Sequence, residues 1–172
     1  MTGEGCADEP IIRPLAEDDA EALLRFYQGL SAETIHFYQP YSERTPEQMA
    51  KVVQRAASGQ DIARVLVTSS GEIIGHAFLS DIDKPEPCFG IGLADGWQNR
   101  GYGPRLMAKV IAEADARPHV QAVVLTVNKQ NARALKTYRR FGFWVYGECT
   151  HRAENDSYRM RRAGTPHSSC RA

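Results

Sequence analysis

A glycine turn that opens a helix can hold a phosphate, and the chain has such a stretch at Gln98-Asn99-Arg100-Gly101-Tyr102-Gly103-Pro104-Arg105. It follows an apolar run, Cys88 to Ala94, which Asp95-Gly96-Trp97 breaks. Leu106 and Val110 are four apart, and Met107, Ile111 and Ala114 continue at steps of four and three, the spacing of an amphipathic helix. The first N–H groups of a helix have no internal partner, and its dipole places about half a positive charge there. Glycines let that backbone approach a bulky anion, so the turn suits a phosphate or pyrophosphate. Arg100 and Arg105 add formal charge. A Walker loop would need Gly-Lys-Ser/Thr, which is absent. The string Gly90-Ile91-Gly92-Leu93-Ala94-Asp95-Gly96 has the wrong spacing for G-x-G-x-x-G and lies within the apparent strand. Taken alone, the turn is equally a plain connection between strand and helix.

A second unit of the same kind follows. Gln121 to Val127 reads as a buried strand, Asn128 to Asn131 as a polar turn, and Ala132 to Phe141 as a helix that Gly142 stops. Asn131, Ala134 and Tyr138 stand at i, i+3 and i+7 and share one helix face.

Together the two units resemble the GCN5-related N-acetyltransferases (GNAT superfamily). Gln98-x-x-Gly101-x-Gly103 is similar to the Q/R-x-x-G-x-G/A turn that binds the coenzyme A pyrophosphate in that family. Asn131-x-x-Ala134-x-x-x-Tyr138-x-x-x-Gly142-Phe143 is similar to its N-x-x-A-x-x-x-Y-x-x-x-G-F segment. The resemblance covers Ile11 to Arg162, with its specific motifs between Cys88 and Phe143. It implies acetyl transfer from acetyl-CoA, without a metal, to a primary amine through a tetrahedral intermediate. The acceptor would be a small amine, an amino acid, or a protein lysine or N-terminus. Backbone groups of Ile91, Gly92 and Leu93 would meet the thioester and the pantetheine arm, and Gln98 to Arg105 the pyrophosphate. Asn131, Ala134 and Tyr138 would complete the cofactor site. Gly90 and Gly92 fit a bulge or a close ligand approach.

Tyr138 matches the family's general acid. A phenol of pKa about 10 is protonated at neutral pH and can give its proton to a departing thiolate. The alternative is a core aromatic beside Leu135 and Phe141. Arg133, Arg139 and Arg140 could reach the 3′-phosphate, though Arg139 and Arg140 also read as a solvated helix face. Asn131 could cap its helix as well as bind pantetheine.

The resemblance weakens at the base. Many relatives carry a glutamate where Cys88 and Phe89 stand here. Candidate replacements are a water chain, His76, Asp81, Asp83, Glu86 and His151. His76 alone sits on a predicted strand near the centre. The missing glutamate also fits a non-catalytic acyl-CoA sensor on the same fold, but the retained Tyr138 argues against it.

The elements that must position these residues follow from the rest of the chain. Its 172 residues suit one domain, Ile11 to Arg162, with loose termini over 1–10 and 163–172. Lys plus Arg and Asp plus Glu both number 21, so no global field points to nucleic acid or a membrane surface. No apolar run approaches the roughly 20 residues of a membrane helix, and the N-terminus lacks a leader's apolar region. Cys6, Cys88, Cys149 and Cys170 are scattered without C-x-x-C, against a disulfide framework or zinc site. A cytoplasmic, reduced protein is expected.

Ile11 to Leu15 reads as a first strand, and Ala20 to Leu30 as a helix. Ser31 resembles the cap of a second helix, and 36–41 a loop or short helix. Thr45-Pro46 starts a helix running to about Ala57. Strands over 63–68 and 72–80 flank a turn at Ser69-Ser70-Gly71. Phe143 to Thr150 and Ser157 to Arg161 close the chain as strands, joined by a turn over 153–156. The fold class is α/β (α+β): a mixed, mostly antiparallel sheet of six to seven strands with about four helices, in the order β-α-α-β-β-β-α-β-α-β-β.

The acceptor is expected against Tyr27 to Glu43 and the loops near Asp81 and His151, with His36, Phe37, Tyr38 and Tyr41 as walls. Gly29-Leu30-Ser31-Ala32-Glu33-Thr34 is similar to the G/S-L-S-P-E-T/S start in some bacterial protein-lysine acetyltransferases. Glu33 and Glu43 are few acids for a polyamine. An edge strand over 143–150 or 157–160 could pair in a homodimer.

Overall fold

In the computed structural model, which describes residues 9–150 and 156–165, the chain runs through thirteen short elements. They are β1 (Ile11–Pro14), α1 (Ala20–Gln28), α2 (Ala32–Phe37), α3 (Pro46–Ala57), β2 (Ile62–Val67), β3 (Ile73–Ser80) and β4 (Cys88–Leu93). A 3-10 turn (Asp95–Trp97), α4 (Tyr102–Asp115), β5 (Ala122–Asn128), α5 (Ala132–Arg140), β6 (Trp144–Thr150) and β7 (Asp156–Ala163) follow. The seven strands form one sheet in the order β1-β2-β3-β4-β5-β7-β6. Every neighbouring pair is antiparallel except β4 and β5. This is the expected mixed sheet, with α2 as a helix beyond the expected order.

Local chemistry sets the boundaries. Ser31 and Thr45 cap α2 and α3, their hydroxyls accepting from Thr34 N and Gln48 N at 3.2 Å each. Pro46 occupies the first turn of α3, where its missing N–H costs nothing. Helix α5 ends with Gly142 at φ +84°. Gly142 N donates to Arg139 O and Phe143 N to Tyr138 O, each at 3.0 Å, a paired closure that glycine's freedom permits. The Phe143 ring then rests 5.9 Å from that of Tyr138.

The sheet has two apolar faces. On one, Leu23, Phe26 and Tyr27 of α1 and Met49 and Val53 of α3 pack on Val65 and Ile73. On the other, Leu106, Met107 and Val110 of α4 pack with Leu66, Leu79, Phe89 and Leu125. Each such side chain, once buried, contributes about 1.5–3 kcal/mol.

Two relationships within the sheet matter for function. Strands β4 and β5 share one pair, Cys88 with Val124. The β3–β4 loop steadies it, since Pro87 O accepts from Val124 N at 3.1 Å and Pro85 O from Gln121 N at 2.8 Å. No further β4–β5 pair follows among the described residues. Strand β7 lies inside the sheet, between β5 and β6. The expectation that Ser157 to Met160 could be a dimerising edge is therefore corrected. Its alternation is that of a strand, and alternation does not distinguish an edge from an interior position. Only β6 is an edge there, with Trp144, Val145 and Tyr146 exposed by 46%, 36% and 47%. The expected turn over 153–156 falls largely outside the described residues.

Candidate active site

The glycine turn lies at the far end of β4. Gly101 caps α4 at φ +82°, a left-handed conformation that side chains resist. Among the described residues no side chain caps this helix, which leaves the first-turn N–H groups of Tyr102 and Gly103 available, and Pro104 has none to satisfy. Arg100 stacks over Trp97 at 5.2 Å, and Arg105 over Tyr102 at 5.6 Å. Arg105 also pairs with Glu9. The turn, its donors and two cations thus come together at the start of α4.

The Gln98 side chain does not reach outward. Its Nε2 donates to Leu93 O at 3.1 Å and to Thr34 Oγ1 at 3.0 Å, and its Oε1 accepts from Arg133 Nη2 at 2.7 Å. Arg133 Nη1 also donates to Asn99 Oδ1 at 3.2 Å. Both residues brace the turn.

Gly90 and Gly92 do not form a bulge: β4 pairs with β3 in unbroken register from Gly75–Leu93 to Ser80–Cys88. Aromatic rings occupy the space their side chains would fill. A Cβ at Gly90 would meet Phe78 Cζ at 2.3 Å, and one at Gly92 would meet Tyr38 Cε1 at 2.1 Å. Ile91 and Leu93 pack toward α4 on the opposite face.

Tyr138 approaches β4 from that opposite face. It is buried, with its ring 6.3 Å from that of Phe89. Burial, with the Cys88 thiol nearby, holds its pKa above the ordinary phenol value. It therefore carries a proton to give throughout the neutral range. Tyr38 likewise keeps its proton through burial, and Tyr138 is among the groups that raise it. Two phenols thus flank one stretch of β4. Asn131 caps α5, its Oδ1 accepting from Ala134 N at 3.1 Å, and Ala134 packs on the core beneath.

His76 lies wholly inside the molecule. Its Nδ1 is 2.7 Å from Tyr27 Oη, which is 2.9 Å from Tyr38 Oη. Nε2 is buried and has no hydrogen-bond partner among the described residues. Burial lowers the ring's pKa to about 3, so the imidazole is neutral. A proton on Nδ1 leaves only a lone pair unpaired at Nε2; the other tautomer would bury an unpaired N–H, which folded proteins rarely tolerate. With Nδ1 donating to Tyr27, the Tyr27 hydroxyl is free to donate to Tyr38. A base must touch the proton it removes. Expected as a base, His76 instead stands behind two tyrosines.

The carboxylates expected as alternative bases lie at the other end of β4. Asp81 is paired with Arg55 at 2.8 Å and Lys84 at 2.9 Å, and these bonds, Lys84 first, lower its pKa. Glu86 pairs with Arg161 at 2.5 Å. Asp83 is exposed in the same loop. His151 falls outside the described residues. Arg139 and Arg140, with Lys136, Leu135 and Ala132, line a groove of about 570 Å³ on α5. Among the described residues, no group of three His, Cys, Asp or Glu side chains could hold a metal ion.

Sequence reasoning missed Asp95. Just past β4, its carboxylate accepts from Ser31 N, Ser31 Oγ and Thr34 Oγ1. No local signal could have found it, since Ser31 and Thr34 lie 64 and 61 residues away in sequence.

The model of the acetyltransferase (GNAT) domain matches residues 11–144. The chain is 31% identical over 98 residues to the L-amino acid N-acetyltransferase AaaT of Escherichia coli K12, a match spanning 55% of the chain and 60% of that relative. The matched stretch is thus less than two thirds of AaaT's length. It is 24% identical over 142 residues to the Escherichia coli K12 spermidine N(1)-acetyltransferase, over 81% of the chain and 75% of the relative. Among solved structures, a ribosomal-protein-S5-alanine acetyltransferase from Vibrio fischeri superposes with a TM-score of 0.78 at 17% identity, covering 91% of this chain and 94% of that one.

Proposed function

Since the chain belongs to the GNAT acetyltransferase domain family, we propose that it moves an acetyl group from acetyl-CoA to a primary amine. The observation that carries this reading is the divergence of β4 from β5, flanked by Tyr138 and ending at the open first turn of α4. Donors at Tyr102 and Gly103, with Arg100 and Arg105, suit the pyrophosphate. The side of β4 that faces β5, left without strand pairing past Cys88 along Ile91 to Leu93, suits the amide-bearing pantetheine arm and the carbonyl oxygen.

In the reaction, the neutral amine nitrogen attacks the thioester carbon. The C–N bond forms, the C–S bond breaks, and Tyr138 gives its proton to the departing sulfur. The proton that the amine loses passes to solvent, and solvent returns one to Tyr138, so the phenol is restored. Arg133 and Asn131 position the turn and α5; His76 positions Tyr27 and Tyr38 rather than acting as the base. The acceptor we favour is a small amine, as in the amino-acid and spermidine enzymes named above, with a protein lysine or N-terminus next. It would rest on Tyr38 and Tyr41. A second copy of the chain would pair through β6, and a solution mass of one chain would reject that.

The alternative is an acyl-CoA sensor without turnover. Cys88 in the place of a carboxylate favours it. A thiol-release assay with acetyl-CoA and a panel of amines, amino acids and lysine peptides decides between them. Turnover on any acceptor supports the transferase; tight coenzyme binding without turnover supports the sensor.

A further inference from the structure

The Ser31-to-Thr34 string finds its partners across the molecule. Ser31 N donates to Asp95 Oδ2 at 3.0 Å. Ser31 Oγ and Thr34 Oγ1 donate to Asp95 Oδ1 at 2.5 and 2.7 Å. Thr34 Oγ1 in turn accepts from Gln98 Nε2 at 3.0 Å. Gln98 accepts from Arg133 on its other amide atom at 2.7 Å. Every group is used consistently. The one proton of the Thr34 hydroxyl goes to Asp95, and its lone pair receives Gln98. The Gln98 amide shows its nitrogen to two acceptors and its oxygen to a cation, which fixes its orientation. The Asp95 bonds are charge-assisted and strong for their kind.

This bridge joins three parts far apart in sequence. One is the start of α2. There, Thr34 O accepts from Tyr38 N at 2.8 Å, and Tyr38 covers Gly92. The second is the turn Gln98–Gly103. The third is the first turn of α5, the helix that carries Tyr138.

We propose that the Asp95–Thr34–Gln98 bridge couples the two substrate sites. Coenzyme A held at the turn fixes α2, and through it Tyr38, against β4, so that donor binding completes the wall on which the acceptor docks. This rests on the reading of the turn as the coenzyme A site. A ligand that orders one end of a bonded chain lowers the entropic cost of ordering the other. The coupling is reciprocal in binding free energy and is typically about 5- to 150-fold. Thr34 is a positioning residue that acts through Gln98 and Asp95.

The test uses coenzyme A as probe on wild type, Thr34→Val and Thr34→Ser. Valine keeps the shape and removes both hydroxyl bonds; serine keeps the hydroxyl. Hydrogen exchange of the amides of 31–38 is followed with and without saturating coenzyme A, beside calorimetric affinity and Tm. In wild type, coenzyme A slows exchange there by about 5-fold or more. The slowing disappears in Thr34→Val, which still binds coenzyme A, and returns in Thr34→Ser. Wild type that binds coenzyme A with unchanged exchange at 31–38 overturns the proposal, and that arm needs no variant to fold. A Thr34→Val protein that binds and keeps full protection overturns it too. Failure of wild type to bind coenzyme A at all removes the reading of the turn, and the bridge's role with it.

Discussion

The ring of Tyr38 occupies the side-chain space that Gly92 leaves empty, with Cε1 2.1 Å from where a Cβ would stand. A glycine in the central strand thereby seats an aromatic residue from α2's end beside the proposed thioester position.

Gly92→Ala forces that ring off the strand. Overpacking of this kind costs about 1–3 kcal/mol. Thermal unfolding should show a lowered Tm, and the acceptor KM should rise. Gly96→Ala, where a Cβ meets nothing within 4 Å, is the control and should stay within about 0.5 kcal/mol of wild type.

Removing the Tyr138 hydroxyl removes the proposed acid. Tyr138→Phe should lower kcat about 10²- to 10⁴-fold and leave the KM for acetyl-CoA little changed. The phenylalanine keeps the packing against Phe89 and Phe143, so Tm should hold. Full kcat in this variant would assign the proton to another donor.

His76 links stability to pH. Its pKa is about 3 when folded and about 6.5 when unfolded. Below 6.5 the unfolded chain binds a proton that the folded chain refuses. Stability is therefore complete above 6.5 and falls by about 1.4 kcal/mol per pH unit as pH drops toward 3. Urea unfolding at pH 7.5, 6.5 and 5.5 measures the slope. His76→Gln, which has no such proton, should show a flatter profile over the same range.

Gly101→Ala places a side chain at φ +82° and should cost about 1–2 kcal/mol. No described neighbour lies within 4 Å of the added carbon, so the cost is conformational, not steric crowding. Calorimetry should find weaker coenzyme A binding, because the α4 donors turn with the backbone.

What the sequence revealed was local. The two strand-turn-helix units, the cap at Ser31, the helix start at Thr45-Pro46 and the stop at Gly142 each depend on residues a few places apart, and all are found in the structure. What it hid was contact at long range. Tyr27 and His76 are 49 residues apart, and Ser31 and Asp95 are 64 apart. No periodicity links such pairs. His76 looked available because its strand was central, and the same centrality buries it. Gly90 and Gly92 looked like room for a ligand, and their space went to Phe78 and Tyr38. Gln98 belonged to a phosphate motif, yet its side chain turns inward to hold the turn.

A sheet of seven strands ordinarily has two edges. With one β4–β5 pair among the described residues, this sheet adds to β1 and β6 two partial edges that face each other in its middle. An inner edge is a template for any extended chain that alternates amide donors and acceptors at strand spacing. Coenzyme A carries such amides, and so does every peptide. The gap proposed to take the donor thus exposes the protein to mimicry. Short extended peptides able to add as an eighth strand should inhibit it competitively with coenzyme A, with little regard for their side chains.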